Sequence, residues 1–148
     1  MIKKIIGWAA LGLAGLVVFF LLIQLIPYGH NHTNPPVVRE PNWDSQQTRQ
    51  LAQRACFDCH GNQSTWPWYS NIAPISWLVQ RDVNEGRSKL NFSEWHGVRE
   101  PEELGETVLD GSMPPFIYII RHPEASLTDS EKQQLANGLV ATALNSDR

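Results

Sequence analysis

The sequence contains few of the residues that several function classes require. It has only two cysteines, Cys56 and Cys59, so a structural zinc site would need two distant histidines to complete its four ligands. Twelve basic residues stand against fifteen acidic residues, which argues against nucleic-acid binding because that function usually requires a basic patch or stripe. No internal repeat and no alternating strand pattern of convincing length is present. The remaining periodicity is helical, and it predicts an all-α fold.

One long apolar run is present, from Ile5 to Ile26, and Gln24 is its only polar side chain. As a helix this run would be about 33 Å long, enough to cross the hydrocarbon core of a bilayer. A signal peptide usually has an apolar region of about 7–15 residues followed by a small-residue cleavage site, and neither feature is matched here. The run therefore predicts a single uncleaved transmembrane helix.

The charges around this helix predict its orientation. Lys3 and Lys4 precede it, so the positive-inside rule places the N-terminus in the cytoplasm and the rest of the chain on the outer side of the membrane. Prolines and a low apolar content predict a semi-stiff linker after the helix, in which His30 and His32 are interpreted as solvated residues. The predicted organisation is an anchor over residues 1–27, a linker over residues 28–41 and one domain over residues 42–148.

Four helices are predicted within the domain from apolar spacing and capping signals. The second is expected to end at Gly86 and the third at Gly111. The fourth begins with a capping box, in which Thr128 is followed by Glu131. The apolar run from Phe116 to Ile120 is too short for its periodicity to assign it. The predicted helices begin near Asp44, Pro74, Pro101 and Thr128.

Four interpretations compete for the segment Cys56-Phe57-Asp58-Cys59-His60. A zinc site has the ligand shortage described above, and a disulfide would close only a tiny loop and leave His60 unexplained. A thioredoxin-type dithiol belongs beside a βαβ unit, which this sequence does not indicate. The fourth interpretation uses every residue, because C-x-x-C-H is the attachment sequence for c-type haem. In that case both thiols would bond to the porphyrin and His60 would bind the iron.

A second iron ligand is expected on the opposite face of the haem, and Met113 is the leading candidate. It is the only methionine besides Met1, and Pro114 and Pro115 stiffen the loop in which it stands. The alternatives are His96, His122 or an open position. The metal ligands are accordingly predicted to be His60 and Met113.

An aromatic cluster follows the C-x-x-C-H segment. Trp and Tyr combine apolar area with one polar group, which suits the wall of a haem pocket and a hydrogen bond to a propionate. The alternative is an ordinary aromatic core. Arg81 and Arg87 are candidate partners of the propionates, with surface solvation as the alternative. The aromatic residues assigned to the cofactor site are Trp66, Trp68, Tyr69 and Trp77, and Trp95 belongs to the same cluster.

From about Trp43 to Leu144 the chain resembles the bacterial haem-binding domain family, whose members are small, cytochrome c-like and often carry one N-terminal membrane segment. The resemblance lies in CFDCHGNQSTWPWYSNIAPISWLVQRDVNEGRSKLNFSEW and in GSMPPFIYIIRHPEASLTDSE. The second string also matches the methionine loop of single-haem cytochromes c. The resemblance implies a mostly helical domain with one haem c attached through Cys56 and Cys59, His60 as proximal ligand and Met113 as distal ligand.

The expected function is that of a membrane-tethered monohaem cytochrome c, an electron carrier rather than a catalyst. It would lie in the bacterial inner membrane with its haem domain on the periplasmic side. Its redox partner would be a membrane enzyme or a soluble electron carrier. The alternative is a haem-based sensor or a peroxidase-like enzyme, which would require an exchangeable distal position.

Overall fold

A computed structural model describes residues 2–146 of the chain. Within this range the chain forms helices joined by loops, and its only pairing of strand type is the isolated parallel bridge between Arg39 and Glu94. The predicted all-α fold is confirmed. The helices are α1 (Ile2–Ile23), α2 (Gln46–Ala55), α3 (Phe57–His60), α4 (Ile75–Lys89), α5 (Pro101–Leu109), α6 (Phe116–Arg121) and α7 (Asp129–Ser146), with 3₁₀ turns at Trp68–Asn71 and Pro123–Ala125.

The chain divides into two compact units that interleave in sequence. The first unit consists of Met1–Thr33 and Trp66–Asp82, and the second consists of Asn34–Thr65 and Val83–Arg148. The division places the apolar N-terminal helix and four aromatic residues, Trp66, Trp68, Tyr69 and Trp77, in the first unit. The C-x-x-C-H segment and Trp95 lie in the second unit.

The first unit is built on α1, a helix long and apolar enough to cross a membrane. None of its residues is buried within the protein, whereas a helix that is hydrophobic on every side is normally buried in a protein core or in a membrane. One residue beyond its end, the amide of Gln24 forms two hydrogen bonds with the backbone of Ala73: Nε2 donates to the carbonyl at 3.1 Å, and Oε1 accepts from the N–H at 2.9 Å. The one polar side chain of the apolar run therefore fixes a later segment of the chain.

The second unit has its core between α2, α5 and α7. Leu135, Leu139 and Ala143 of α7 are almost fully buried, whereas Leu144, which the sequence predicts on the same apolar stripe, is 48 % exposed. The capping box is present, with the Thr128 N–H donating to Glu131 Oε2 at 2.8 Å and the Glu131 N–H donating to Thr128 Oγ1 at 3.2 Å. The core residues are Leu51, Ala52, Ala55, Phe57, Phe92, Trp95, Val108, Leu127, Leu135, Ala136, Leu139 and Ala143.

One predicted helix end differs from the structure, and one unassigned segment is helical. The helix around Gly86 does not end there, because α4 continues to Lys89. A Cβ atom on Gly86 would overlap the carbonyl group of Cys59, so the glycine permits a close approach of two backbones and does not end the helix. The unassigned run after Pro115 is helical and forms α6.

The segment after α1 is packed in both units. His32 was expected to be solvated, and this expectation is wrong: its ring stacks on Trp66 with 4.6 Å between centroids, and its Nε2 lies 3.0 Å from the carbonyl oxygen of Ser70. In the second unit the N–H groups of Val38 and Arg39 both donate to the carbonyl of Ser93, at 2.9 and 3.1 Å.

Candidate haem-binding site

The C-x-x-C-H segment forms its own turn of helix. Ser45 caps α2 by accepting a hydrogen bond from the N–H of Thr48, and α2 ends where the backbone of Cys56 leaves helical geometry, at φ −127° and ψ −31°. The chain then forms α3, in which the N–H of His60 donates to the carbonyl of Cys56 at 2.8 Å. Both cysteines are half-buried, and they are not joined by a disulfide. Cys56, Cys59 and His60 are thus presented by a single helical turn.

A hydrogen bond fixes the ring of His60. Its Nδ1 lies 3.0 Å from the carbonyl oxygen of Leu90. A carbonyl can only accept, so Nδ1 carries the proton and Nε2 keeps the lone pair that binds a metal. Burial lowers the pKa of His60, while hydrogen bonds to the backbone of Leu90 and Gly86 act in the opposite direction. The ring is therefore held neutral, in the tautomer and orientation that a histidine ligand requires.

The backbone that carries this carbonyl is tied to the histidine turn. The N–H of Phe92 donates to the carbonyl of His60 at 2.8 Å, and the rings of these two residues meet edge to face with 6.4 Å between centroids. Arg87 donates from Nε to the carbonyl of Gly61 at 2.8 Å and from Nη2 to Ser64 Oγ at 3.0 Å. Arg87 therefore stabilises the backbone after His60, a role that neither sequence interpretation included. Arg81 pairs with its neighbour Asp82.

Asp58, between the two cysteines, connects α3 to α6. One carboxylate oxygen accepts from the N–H of Thr65 at 2.8 Å, and the other accepts from the hydroxyl of Tyr118 at 2.7 Å. Burial and the neighbouring Asp58 raise the pKa of Tyr118, so its hydroxyl stays protonated and remains a donor. Since α6 follows the methionine loop directly, this contact holds that part of the chain to the C-x-x-C-H turn.

Met113 lies in the loop between α5 and α6 and is half-buried. Its N–H donates to the carbonyl of Thr107 at 2.9 Å, which fixes the loop to the end of α5. Beyond it, α6 exposes Phe116, Ile117 and Ile120, with 76, 70 and 55 % of their surface accessible. The second unit thus contains Met113 together with the C-x-x-C-H segment, and the assignment of Met113 to the iron stays a prediction.

The alternative distal ligands differ in their surroundings. His96 is exposed. The ring of His122 stacks on Tyr118 with 4.3 Å between centroids, and its Nδ1 lies 3.2 Å from Glu124 Oε1.

The aromatic residues assigned to the cofactor site all lie in the first unit. Trp66 stacks on His32, and Trp68 is 75 % exposed and meets Tyr69 edge to face at 5.9 Å. The indole N–H of Trp77 is buried and has no acceptor among residues 2–146. Their assignment to a haem stays a prediction.

A family model described as haem-binding domain matches residues 18–141. This match spans most of the chain, including the C-terminal part of α1 and the whole second unit up to α7. The chain belongs to the haem-binding domain family. Searches of curated proteins and of solved structures found no match.

The residues of this haem-binding domain fit the cofactor. Its second unit offers two thiols and an oriented imidazole on one turn, and it also contains a buried donor in need of an acceptor. The indole N–H of Trp95 is buried and has no hydrogen-bond acceptor among residues 2–146. A propionate oxygen of a bound haem would supply that acceptor. Trp95 stacks on Phe92 with 6.2 Å between centroids, and Phe92 in turn contacts His60.

The structure of this haem-binding domain gives less support to the other interpretations of the cysteines, which are a zinc site, a disulfide and a redox dithiol. Burial, and then the charge of Cys59, raise the pKa of the Cys56 thiol to about 12. Disulfide exchange needs a thiolate, which this environment disfavours. Among residues 2–146, no group of three or more His, Cys, Asp and Glu side chains is arranged to hold a metal ion.

Sequence reasoning missed three contributors to the site of this haem-binding domain. The carbonyl of Leu90 gives no side-chain signal, and Arg87 was assigned to a propionate or to solvent. The pair of Asp58 and Tyr118 is separated by 60 positions along the chain. Only the position of Asp58 inside the C-x-x-C-H motif draws attention to it.

Proposed function

We propose that this haem-binding domain is a membrane-anchored c-type cytochrome that carries single electrons on the periplasmic side of the bacterial inner membrane. The observation that carries the proposal is the hydrogen bond from His60 Nδ1 to the Leu90 carbonyl, which leaves Nε2 as the ligand atom on a turn that also presents Cys56 and Cys59. A carrier needs a ligand that keeps its place in both oxidation states, and a buried, hydrogen-bonded imidazole meets that need.

The residues have distinct proposed roles. Cys56 and Cys59 would hold one haem covalently, His60 would be the proximal ligand and Met113 the distal ligand. When bound, the haem supplies an iron centre that exchanges one electron, and a histidine–methionine pair raises its reduction potential. The loop of Met113 is fixed at Thr107, which limits loss of the thioether from the iron. The protein would therefore undergo little rearrangement between oxidation states.

The proposed location rests on α1 and on the charges around it. Lys3 and Lys4 precede the apolar stretch, which supports a cytoplasmic N-terminus. The partner would be a membrane enzyme or a soluble electron carrier. After α1 the chain has fifteen acidic and ten basic residues, since Lys3 and Lys4 precede the apolar stretch, and this balance favours a partner with a basic docking face.

Covalent attachment is tested by haem staining of denatured protein. The full chain would be produced in a host that matures c-type cytochromes, as the parent and as a Cys56→Ser/Cys59→Ser variant. We expect the parent to keep its haem through denaturing electrophoresis and the double variant to lose it. A Ser112→Ala variant, which alters a hydroxyl near the methionine, serves as a control that should keep the stain. Full staining of the double variant would contradict covalent attachment.

The distal ligand is tested by the visible absorption spectrum of the oxidised protein. Methionine sulfur bound to ferric haem iron gives a weak band in the red region, and we expect to observe it. A high-spin spectrum would instead indicate an open position and favour a sensor or peroxidase-like enzyme. A bis-histidine spectrum would assign the distal position to His96 or His122 and would retain electron transfer at a lower potential.

A further inference from the structure

The first unit carries almost no charge. Between Lys4 and Arg39, and again between Asp58 and Arg81, the sequence contains no Asp, Glu, Lys or Arg. These two stretches supply α1, the residues that follow it and the aromatic segment Trp66–Leu78. The second stretch is also rich in aromatic residues. Its twelve positions from Trp66 to Trp77 contain three tryptophans and one tyrosine. A segment exposed only to bulk water would normally be richer in charge.

The aromatic segment is fixed at the end of α1. The two hydrogen bonds between Gln24 and Ala73 lie one residue beyond the helix. Gly29, at φ +84°, approaches the backbone of Ser76 so closely that no Cβ would fit. His32 stacks on Trp66 with an interplanar angle of 17°. These contacts place the segment at the point where the chain leaves the apolar helix.

Large apolar side chains are exposed at this same point. Trp68 is 75 % exposed, and Ile75 and Leu78 are 44 and 51 % exposed on one face of α4, three positions apart. Leu25 is 78 % exposed and Tyr28 is 47 % exposed immediately after α1. We call these five residues the interfacial patch. It continues the apolar surface of α1 without an intervening charge.

We propose that the interfacial patch lies in the headgroup region of the bilayer leaflet at which α1 ends. Trp and Tyr concentrate at membrane–water interfaces because their rings are apolar at one end and polar at the other. The occupant of the patch is thus the lipid surface, with which the surface of α1 is already continuous. This inference rests on the proposed anchoring by α1 and reassigns Trp68 from the haem to the membrane.

The depth of the patch can be measured by spin labelling of the full-length holoprotein in vesicles of phosphatidylcholine and phosphatidylglycerol. Separate Trp68→Cys and Leu78→Cys variants would carry a nitroxide. The matched control is Val38→Cys, because Val38 is also 75 % exposed but adjoins the charged Arg39. A Leu13→Cys variant reports whether α1 spans the bilayer. The measurement gives the rate at which each nitroxide collides with dissolved oxygen and with a water-soluble nickel chelate. The relaxation rate measured under nitrogen is subtracted from both, which removes the relaxation that the haem iron causes.

We expect the ratio of oxygen to nickel collisions at positions 68 and 78 to exceed that at position 38 by about twofold or more, since oxygen concentrates in the bilayer and the chelate does not enter it. Equal ratios at all three positions, with a high ratio at position 13, would overturn the inference and leave anchoring intact. A low ratio at position 13 would overturn both the interfacial location of the patch and the anchoring by α1. Dipolar broadening between labels would assign the patch to contact between copies of the chain and would also overturn the inference.

Discussion

Two regions of the second unit differ in how completely the protein itself stabilises them. The histidine region, which is α3 with the backbone around Leu90, is packed and hydrogen-bonded: Phe57 and Phe92 are 3 and 1 % exposed. The methionine region, Met113 to Arg121, contains no buried helical residue, and three of its apolar side chains, Phe116, Ile117 and Ile120, are exposed. The histidine region is thus formed by protein contacts alone, whereas the methionine region lacks a cover for its apolar surface.

This difference indicates how the proposed cofactor would contribute to stability. Burial of apolar surface stabilises by about 25 cal/mol per Å². A cofactor that covered the exposed side chains of α6 would therefore add more stability than one that covered the histidine region, which is already buried. The histidine region would position the iron ligand before the cofactor binds. The methionine region would gain its order from the cofactor.

The largest effect is expected from Met113→Leu, which conserves volume but removes the sulfur. The reduction potential should fall by a clear fraction of the roughly 0.8 V range that axial ligands set, because the thioether that favours ferrous iron is lost. A spectroelectrochemical redox titration measures this. Leu109→Met, at an exposed position outside the loop, is the control and should leave the potential unchanged. An unchanged potential in Met113→Leu would remove Met113 from the iron.

In the histidine region, Gly86→Ala should destabilise the protein by about 1–3 kcal/mol, the usual cost of overpacking. The added Cβ would overlap the carbonyl of Cys59 and displace the turn that carries His60. The matched control is Gly138→Ala on α7, whose Cβ would overlap the side chain of Thr48 in the core. Chemical denaturation of the holoprotein gives both free energies of unfolding.

The two glycine variants should differ in their spectra. Gly86→Ala should lower the yield of attached haem and disturb the band of the bound histidine–methionine pair, while Gly138→Ala should lose only stability. Identical spectra and yields in both variants would show that Gly86 is a general packing residue without a specific effect on the site.

The sequence predicted those parts of the fold that depend on local signals. The capping box at Thr128 is set by neighbouring residues and is confirmed by the structure, as is the burial of Leu135, Leu139 and Ala143 on one side of α7. The Gly86 prediction failed because a glycine favours a helix end and a close backbone contact equally well. Only the distant Cys59, 27 positions away by number, decides between the two.

Only the part of the site that the C-x-x-C-H motif encodes could be predicted. Cys56, Cys59 and His60 follow from their spacing, whereas the carbonyl of Leu90 that orients the imidazole is a backbone group and has no sequence signature. His32 illustrates the same limit, since its stacking on Trp66 depends on how two distant segments of the first unit meet. Contacts between segments that are distant in the sequence can be identified only when the fold is known.

A smaller effect is expected from Tyr118→Phe, which removes the hydrogen bond that connects the two regions. A hydrogen bond to a charged group contributes about 1.5–3 kcal/mol, and loss of this one should lower the free energy of unfolding within that range. We also expect faster amide exchange in α6 than in α3, because only α6 depends on this contact for its position. Tyr28→Phe, at a half-exposed phenol of the first unit, is the control. Equal acceleration in both helices would show that the regions unfold as one.

The smallest effect concerns acid and the packing behind the histidine region. Arg49 pairs with both carboxylate oxygens of Glu40 at 2.7 Å, and this hydrogen bonding, helped by the indole N–H of Trp43, holds the pKa of Glu40 below its ordinary value of 4.5. The guanidinium lies 5.9 Å from the ring centroid of Phe57, in the core beside His60. Since the pKa is lower in the folded state, the stabilisation is complete above pH 4.5 and is lost as the pH falls through the folded pKa.

Because the side chains of this pair are about a quarter exposed, solvent screening limits its contribution to about 1 kcal/mol. Glu40→Gln should therefore be less stable than the parent by about this amount at neutral pH, and the difference should shrink below pH 4.5. Urea titrations of both proteins across this range measure it. The methionine band should persist to the same pH in both proteins, because the hydrogen bonds of Glu40 go to Arg49 and Trp43 behind the histidine region. A difference in stability that stays constant with pH would assign the effect to packing of the side chain, and the charge of Glu40 would then have no part in holding the histidine region together.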